Sequence, residues 1–339
     1  MAYYRNEILP TVEKEIIKDE IDSMSLNDVE ILKDFLEEAV AEVNEEIEST
    51  PKKGADPRKQ KRRKLKKHLR KVKDDFLQRE IKYENYYRTF EGRNSFSKTD
   101  TDATFMRMKE DPMLNGQLKP GYNLQIATEN QFVIAYNIFP NPTDTRTLLP
   151  FIESMPTLPK IVVADAGYGS QENLETLDNL GIDHLIKYNM FDKEQTKKFQ
   201  KSSKNLNNWD YDAENQIFIH PDGTQYHFHH VYHPKTTTGY RLEKEMYYPV
   251  NRETAPQKSF SFNRKYQYLK ENESAKLLSE DGSALFACRK IDVEPVFGQI
   301  KQNLGFRRTH LRGKDKVKTD IGLVLMANNI IKVQKRLIN

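Results

Sequence analysis

Between Lys160 and Ser170 the chain reads KIVVADAGYGS: four apolar residues, then at once an acid and a glycine-rich bend. A continuous apolar run of this length, bounded by turn residues, is the pattern of a strand covered on both faces. Strands of that kind need helices packed over them, so the run points to an α/β fold. The acid that ends it, Asp165, then stands at the carboxyl mouth of a sheet, where α/β proteins hold ligands. A plainer role for the same carboxylate is to cap the helix beginning near Ser170, or to solvate the turn.

The flanking segments extend this pattern. Upstream, TDTDATFMRM alternates like a strand and a loop follows with Asn115-Gly116 and Pro120-Gly121. YNLQIAT and QFVIAYNIF then read as two strands around a tight turn at Glu129-Asn130. DTRTLLPFIESM is helical, and beyond Asp165 come a helix in SQENLETLDNLG and a strand in DHLIKYN. Three antiparallel strands followed by helix, strand, helix, strand make a mixed sheet flanked by helices. Residues 190–287 break the order: they are rich in Tyr, Asn, Thr and His, with a hairpin in IFIHPDGTQYHFHHVYH, and read as a β-rich insertion. Helices resume near Asp292. DVEPVFGQIKQNL sets Val293, Val296, Phe297, Ile300 and Leu304 in one arc, and KVKTDIGLVLMANNIIKVQKRLI is apolar enough to dock on a core.

The first ninety residues are different in texture. Val29, Leu32, Leu36, Ala39, Val43 and Ile47 recur at three- and four-residue spacings after possible caps at Ser25 and Asn27. TPKKGADP is a turn, and a second helix carries Leu65, Leu69, Val72 and Phe76 on one side. Arg58 to Lys73 holds eleven Lys or Arg and no acid. Two roles are open to this basic run: pairing with the acidic first helix across a hairpin, or contact with phosphates through residues such as Arg62, Arg63, Lys66 and Lys67. The carboxyl-terminal stretch from Lys301 is also basic, ten Lys and Arg against Asp315 and Asp320, although the net charge of the chain is only +4.

Three acids lie in places that a sheet can bring together: Asp100 or Asp102 on the first strand, Asp165 ending the fourth, and Glu294 on a later helix. Convergence requires the first strand to lie beside the fourth. Oxygen ligands of this kind suit Mg²⁺ or Mn²⁺, and two such ions can activate an attacking oxygen and stabilise a leaving one in phosphoryl transfer. Lys301, seven residues after Glu294, shares its helix face with Gly298 between them. Pro295 falls in the first turn, where it is tolerated.

Three blocks carry a family resemblance: SKTDTDATFMRMKEDPMLNGQLKPGYNLQIATENQFV, NPTDTRTLLPFIESMPTLPKIVVADAGYGSQENLETL and IDVEPVFGQIKQNLGFRRTHLRGKDKVKTDIGLVLMANNIIK. The chain resembles the insertion-sequence transposases of the DDE type, whose catalytic core is RNase H-like. By that resemblance Asp165 and Glu294 take the second and third catalytic and metal-binding places, and Lys301 the basic position after the Glu. The first place falls to Asp102, because DATFM looks like the family's acid-small-Thr-apolar strand, with Asp100 as a further site residue. The resemblance implies metal-dependent cleavage of phosphodiesters and strand transfer at insertion-sequence ends, with Mg²⁺ or Mn²⁺ in a two-metal site. It also implies double-stranded DNA and a second copy of the chain as partners, and Lys301, Arg307, Arg308 and Arg312 as phosphate contacts. Related transposases carry Tyr and Arg shortly before the Glu; here Ala287 and Lys290 stand in those places, with Arg289 adjacent. The helical DNA-binding region that usually precedes these blocks is not recognisable, so a truncated, inactive remnant that binds DNA or a full-length partner is the alternative.

The expected organisation is a helical hairpin over 1–92, the first part of the core over 93–189, the insertion over 190–287, and the catalytic and last helices over 288–339. The single cysteine, Cys288, and the lack of any apolar run near ~18 residues suit a soluble cytoplasmic chain that acts on the nucleoid and not in a membrane. A metal-free carboxylate-pair hydrolase of sugars is a third function class, disfavoured by the basic tail. His227, His229, His230 and His233 crowd together without cysteines or zinc-ligand spacing. Trp209 has two possible roles, stacking on a flipped base or filling the insertion's core.

Overall fold

A computed structural model of the chain describes residues 1–12, 16, 17, 23–52, 54–108 and 115–338. The backbone divides into two compact units, Met1–Ser95 and Phe96–Asn339.

In the first unit Ser25 opens α1 (Leu26–Ser49), its hydroxyl accepting from the Asp28 amide while Asp28 accepts from the Ser25 amide. This reciprocal cap satisfies two backbone donors that a helix start leaves unpaired. Val29, Leu32, Leu36, Val40 and Val43 form the buried stripe and pack with Leu65 and Val72. Asp56 caps α2 (Pro57–Lys71), with the proline in its first turn. Arg58 closes the hairpin, donating to the Glu46 and Thr50 carbonyls at 2.7 Å each. The core also takes in residues that periodicity did not mark. Tyr4 and Ile8 are fully buried, and His68, within the basic run, is buried with Nδ1 2.9 Å from the Tyr3 hydroxyl. A π turn over Val72–Leu77 leads into α3 (Gln78–Phe90).

The second unit mixes helices and strands, an α/β arrangement. β1 (Thr104–Arg107) pairs antiparallel with β2 (Leu118–Gly121), and β3 (Asn123–Glu129) antiparallel with β4 (Phe132–Phe139). β5 (Ile161–Ala164) runs parallel to β6 (Asp183–Ile186). These strands pair two by two; among the described residues no ladder joins β1 to β5, so the expected adjacency of first and fourth strands is not seen. β2 lies in what reads as loop, its Pro120 tolerated because the strand is exposed. The β3–β4 hairpin turns through Asn130 and Gln131, both left-handed, one residue later than the sequence suggests.

Helices α4 (Leu148–Glu153) and α5 (Gln171–Asn179) bury Leu148, Ile152, Leu174 and Leu177 with Ala164 and Ile186. The insertion is a five-stranded antiparallel sheet in chain order: β7 (Asp210–Asp212), β8 (Ile217–Ile219), β9 (Gln225–Tyr232), β10 (Lys244–Pro249) and β11 (Phe260–Phe262). Trp209 fills its core beside Phe218, Tyr226 and Tyr247, its indole N–H donating to the Ser203 carbonyl at 2.6 Å. Strands stop at Phe262, and two helices, α6 (Arg264–Leu278) and α7 (Glu280–Asp292), occupy residues that read as insertion up to 287. The buried positions of α6 are Leu269, Glu273 and Leu277, so a charged residue interrupts the apolar pattern that would have revealed it. α8 (Glu294–Gly298), a π turn over Gln299–Asn303 and α9 (Lys314–Ile338) complete the unit. Val296, Ile300, Val317, Ile321 and Leu325 share a core with Ile138 of β4.

Candidate active site

Asp165 follows the last residue of β5, and its side chain turns back to accept from the Gly167 amide at 2.9 Å. That bond starts a short 3-10 turn, Ala166–Tyr168, in which the carboxylate is exposed. Gly169 passes so close to the end of β6 that a Cβ there would overlap the Lys187 carbonyl. The two glycines of DAGYGS therefore have separate jobs. Gly169 lets the loop lie against the sheet, and Gly167 leaves room between carboxylates.

The second of those carboxylates is Asp144, which opens a 3-10 turn ahead of α4. A Cβ on Gly167 would lie 3.1 Å from Asp165 Oδ1 and 3.3 Å from Asp144 Oδ2. A side chain there would press on both carboxylates. Asp144 Oδ1 is held by the Asn123 and Gln125 amides of β3 at 2.7 and 3.1 Å, which turns Oδ2 toward the gap. Asn173, buried in the first turn of α5, donates to the carbonyls of both Thr145 and Tyr168 at 3.0 and 2.8 Å. The Thr145 hydroxyl donates to the Gly167 carbonyl at 2.9 Å. Thus two loops from different parts of the chain are stitched into one rim. Tyr168 points inward, its hydroxyl donating to the Gln125 side chain. Burial first, then the Asp144 and Asp165 charges, push that phenol well above the usual tyrosine range.

Glu294 begins α8 with its side chain 60% exposed, and Arg289 of α7 reaches it at 3.6 Å. The positive charge of Arg289 also works, weakly, against the shift of Tyr168. The Arg289 Nε is a buried donor with no acceptor. An orphaned cationic donor beside acids is the feature that an anionic ligand would satisfy. Lys301 and Arg307, with Phe297, Gly298 and Gln302, line an open depression of 460 Å³ on the next turn. Arg308 and Arg312 are exposed on the following loop.

Asp100 and Asp102 do not lie on the first strand, which starts at Thr104, but in the turns before it. Asp100 accepts from the Tyr122 hydroxyl at 2.9 Å. Asp102 accepts at 2.8 Å from the amide of Lys314, the first residue of α9. Gly313 cannot cap that helix with a side chain, and Asp102 does so from a distant turn. Among the described residues no three His, Cys, Asp or Glu side chains converge as metal ligands. At the rim itself, the acids that border Gly167 are the Asp144–Asp165 pair. Its all-oxygen donors and the gap that a Cβ would fill suit one hard divalent cation, which takes one or two carboxylates and completes its shell with water and phosphate oxygens.

Asp144 is a candidate that sequence reading passed over, and Arg289 one that it noted only as adjacent to the expected arginine place. NPTD looks like a turn with an acidic cap, and Arg289 stands one position from where relatives place their arginine. The remaining candidates, Arg62, Arg63, Lys66 and Lys67, lie on α2 in the first unit. No helix of the described residues is long and apolar enough to cross a membrane.

Curated proteins and solved structures gave no match to this chain. A family model described as Transposase DDE domain matches residues 93–330, which takes in Asp144, Asp165, Arg289, Glu294 and Lys301. Proteins of that kind carry out DNA transposition and generally use divalent metal ions. With more than half of its length matched, the chain belongs to the transposase DDE domain family.

Proposed function

We propose that this chain cuts DNA at the ends of an insertion sequence and joins the freed ends to target DNA, using Mg²⁺ or Mn²⁺. The observation that carries the reading is the pair of carboxylates that both border Gly167, taken together with the Arg289–Glu294 pair. Asp165 and Asp144 would hold a cation, and Glu294, freed from Arg289, would complete the donor set for a second. When bound, such ions neutralise phosphate charge and make water a better nucleophile. Arg289 supports the developing negative charge through its unpaired Nε, and Lys301 and Arg307 hold phosphates to one side. Water adds to phosphorus, the 3′-oxygen leaves, and one proton passes from the attacking to the leaving oxygen. The freed 3′-hydroxyl then displaces a 3′-oxygen of target DNA in the same way, so no further reactant is needed.

The resemblance puts Asp102 in the first catalytic place, whereas its bond to the Lys314 amide supports a capping role and favours Asp144 beside Asp165. A homodimer is part of the proposal. Leu323, Met326, Ile330, Val333 and Leu337 of α9 are all exposed at alternating three- and four-residue steps, the seam that pairs helices of two copies. Replacing Met326 and Ile330 by Glu should then convert a dimer to a monomer in sedimentation, and an unchanged mass removes this surface from the reading.

The decisive experiment is nicking of supercoiled plasmid with Mg²⁺, with Mn²⁺ and with chelator, alongside Asp165→Ala and Glu294→Ala. Metal-dependent nicking lost in both variants is the expected result; nicking that survives chelation overturns it. A second reading, a chain that binds DNA or a full-length partner without cutting it, is favoured by the absence of a three-ligand cluster among the described residues. Mn²⁺ binding followed by electron paramagnetic resonance distinguishes the two, since an inactive chain with no ion bound would leave the free-Mn²⁺ signal undiminished.

A further inference from the structure

The basic run of the first unit had two roles open to it, and the structure separates them. If α1 and α2 paired electrostatically, the Lys and Arg of α2 would meet the acids of α1. Among the described Lys and Arg of the basic run only Lys73, just past the end of α2, makes an ion pair with a carboxylate of α1, that of Glu37. Arg58 is taken up by Asp56 and by carbonyls at the hairpin turn, and Arg62 donates to Asn44 at 3.2 Å. The helices meet instead through apolar side chains, while His68 is buried against Tyr3.

The rest of the charge faces solvent. Leu65, His68 and Val72 mark the buried side of the helix, and Lys59, Arg63, Lys66, Lys67 and Arg70 all fall on the opposite side and are exposed. Their spacing of four, three, one and three residues keeps them in one stripe, about 16 Å long at 1.5 Å per residue. Arg70 has an exposed partner in Asp74 at 3.3 Å, a contact that water and salt weaken. Lys59, Arg63, Lys66 and Lys67 have no carboxylate partner among the described residues. Self-repulsion of such a row destabilises the helix that carries it, unless an anion of matching length lies along it.

We propose that this face of α2 is a track for the phosphate backbone of double-stranded DNA. Four flexible cations on one rigid helix match a row of phosphates, and phosphate contacts carry no sequence information; the exposed Gln60 beside Lys59 is the one amide side chain at the row. The track therefore binds duplex without sequence preference and adds affinity from a unit separate from the one that carries the acids. The inference rests on the reading of DNA as substrate but not on the Asp144–Asp165 site.

The test is fluorescence anisotropy of a labelled random-sequence duplex with the full chain in chelator, titrated with salt. Arg63→Glu, Lys66→Glu and Lys67→Glu together should weaken binding at least about tenfold at low salt. They should also flatten the slope of log K against log salt by about 2 to 3, since each phosphate contact contributes about 0.9. The milder pair Lys66→Gln and Lys67→Gln guards against misfolding, and should flatten the slope by about 2 with an unaltered thermal melt. Equal affinity and slope in the reversed variant overturn the track, and so does tighter binding of single-stranded RNA or of an acidic protein than of duplex. Lost duplex binding with no metal-dependent nicking by wild type keeps the track and removes the acid site. Normal binding by the reversed variant, with nicking abolished in Asp165→Ala, does the reverse.

Discussion

Two groups of acids in the second unit obey opposite rules. Asp178 and Glu273 flank the buried His184, whose Nε2 is 3.0 Å from one carboxylate and whose Nδ1 is 2.9 Å from the other. Glu273 also accepts from the Ile186 amide at 2.8 Å and pairs with Lys276 at 3.2 Å. Asp144 and Asp165 both border Gly167 with no Lys, Arg or His partner among the described residues, one held by amides and the other by its own turn. In the first group the protein supplies its own counter-charge, and α6 is fastened to β6 by it. In the second the counter-charge is left to come from outside. Burial of a charge is tolerated when it is paired, and an unpaired cluster at a rim is where a cation lowers the energy most.

The largest expected effect tests the fastened group. Glu273→Ala leaves His184 facing Asp178 alone in a buried site, and loss of one partner there costs about 3–5 kcal/mol of stability. Urea unfolding followed by circular dichroism measures this; a loss below about 1 kcal/mol would mean that α6 is held by Leu269 and Leu277 alone, and the comparison breaks. Next, Asp144→Ala should lower plasmid nicking by about 10²–10³-fold, the usual scale for losing one group that stabilises the transition state. In chelator Asp144→Asn, which keeps an acceptor for the Asn123 and Gln125 amides, should be as stable as wild type or slightly more so, because a like charge has been removed. A destabilised Asp144→Asn protein would place this acid with the structural group instead.

A smaller effect concerns pH. Burial pulls the His184 pKa down, but hydrogen bonds and charge from Glu273, together with Asp178, more than reverse that and raise it. A raised folded-state pKa gives stability that is fully present below the unfolded histidine value, about 6.5, and is lost as pH rises through the folded value. Lys276, the other charge facing the ring, works against the shift. Unfolding free energy should therefore decline on the alkaline side of about pH 6.5, and His184→Gln should remove that part of the slope. A wild-type slope equal to that of His184→Gln would mean that the ring is neutral in the folded protein.

The two groups were unequally visible in the sequence. IVVA followed by Asp165, the helix over SQENLETLDN and the amphipathic helix from Leu26 are local patterns, and local patterns survive folding. Asp144 was not visible, because a lone acid before a helix looks like a cap, and its meeting with Asp165 depends on how two loops lie across β3. His68 was hidden by the charge of its neighbours, and Glu273 concealed α6 by standing where an apolar residue is expected. What the sequence withheld was contact between segments distant along the chain.

Asp102 belongs to neither group, and the smallest predicted effect decides what it is. As a cap, its oxygen satisfies the Lys314 amide, and Asn serves that role about as well as Asp. Asp102→Asn should then change stability by no more than a few tenths of a kcal/mol, while Asp102→Ala loses about 0.5–2 kcal/mol, both measured by urea unfolding. As a metal-binding acid, the carboxylate itself is required, and the neutral amide is a poor replacement for it beside a divalent cation. Nicking by Asp102→Asn at wild-type rate, with Asp144→Ala inactive, assigns the first catalytic place to Asp144. Loss of nicking in a stable Asp102→Asn protein returns it to Asp102, and requires the turn before β1 to give up the α9 amide when DNA and metal are bound. In that case the acid would serve both roles by turns, and the contrast between acids that fasten the fold and acids left open for a cation would no longer be a fixed property of each residue.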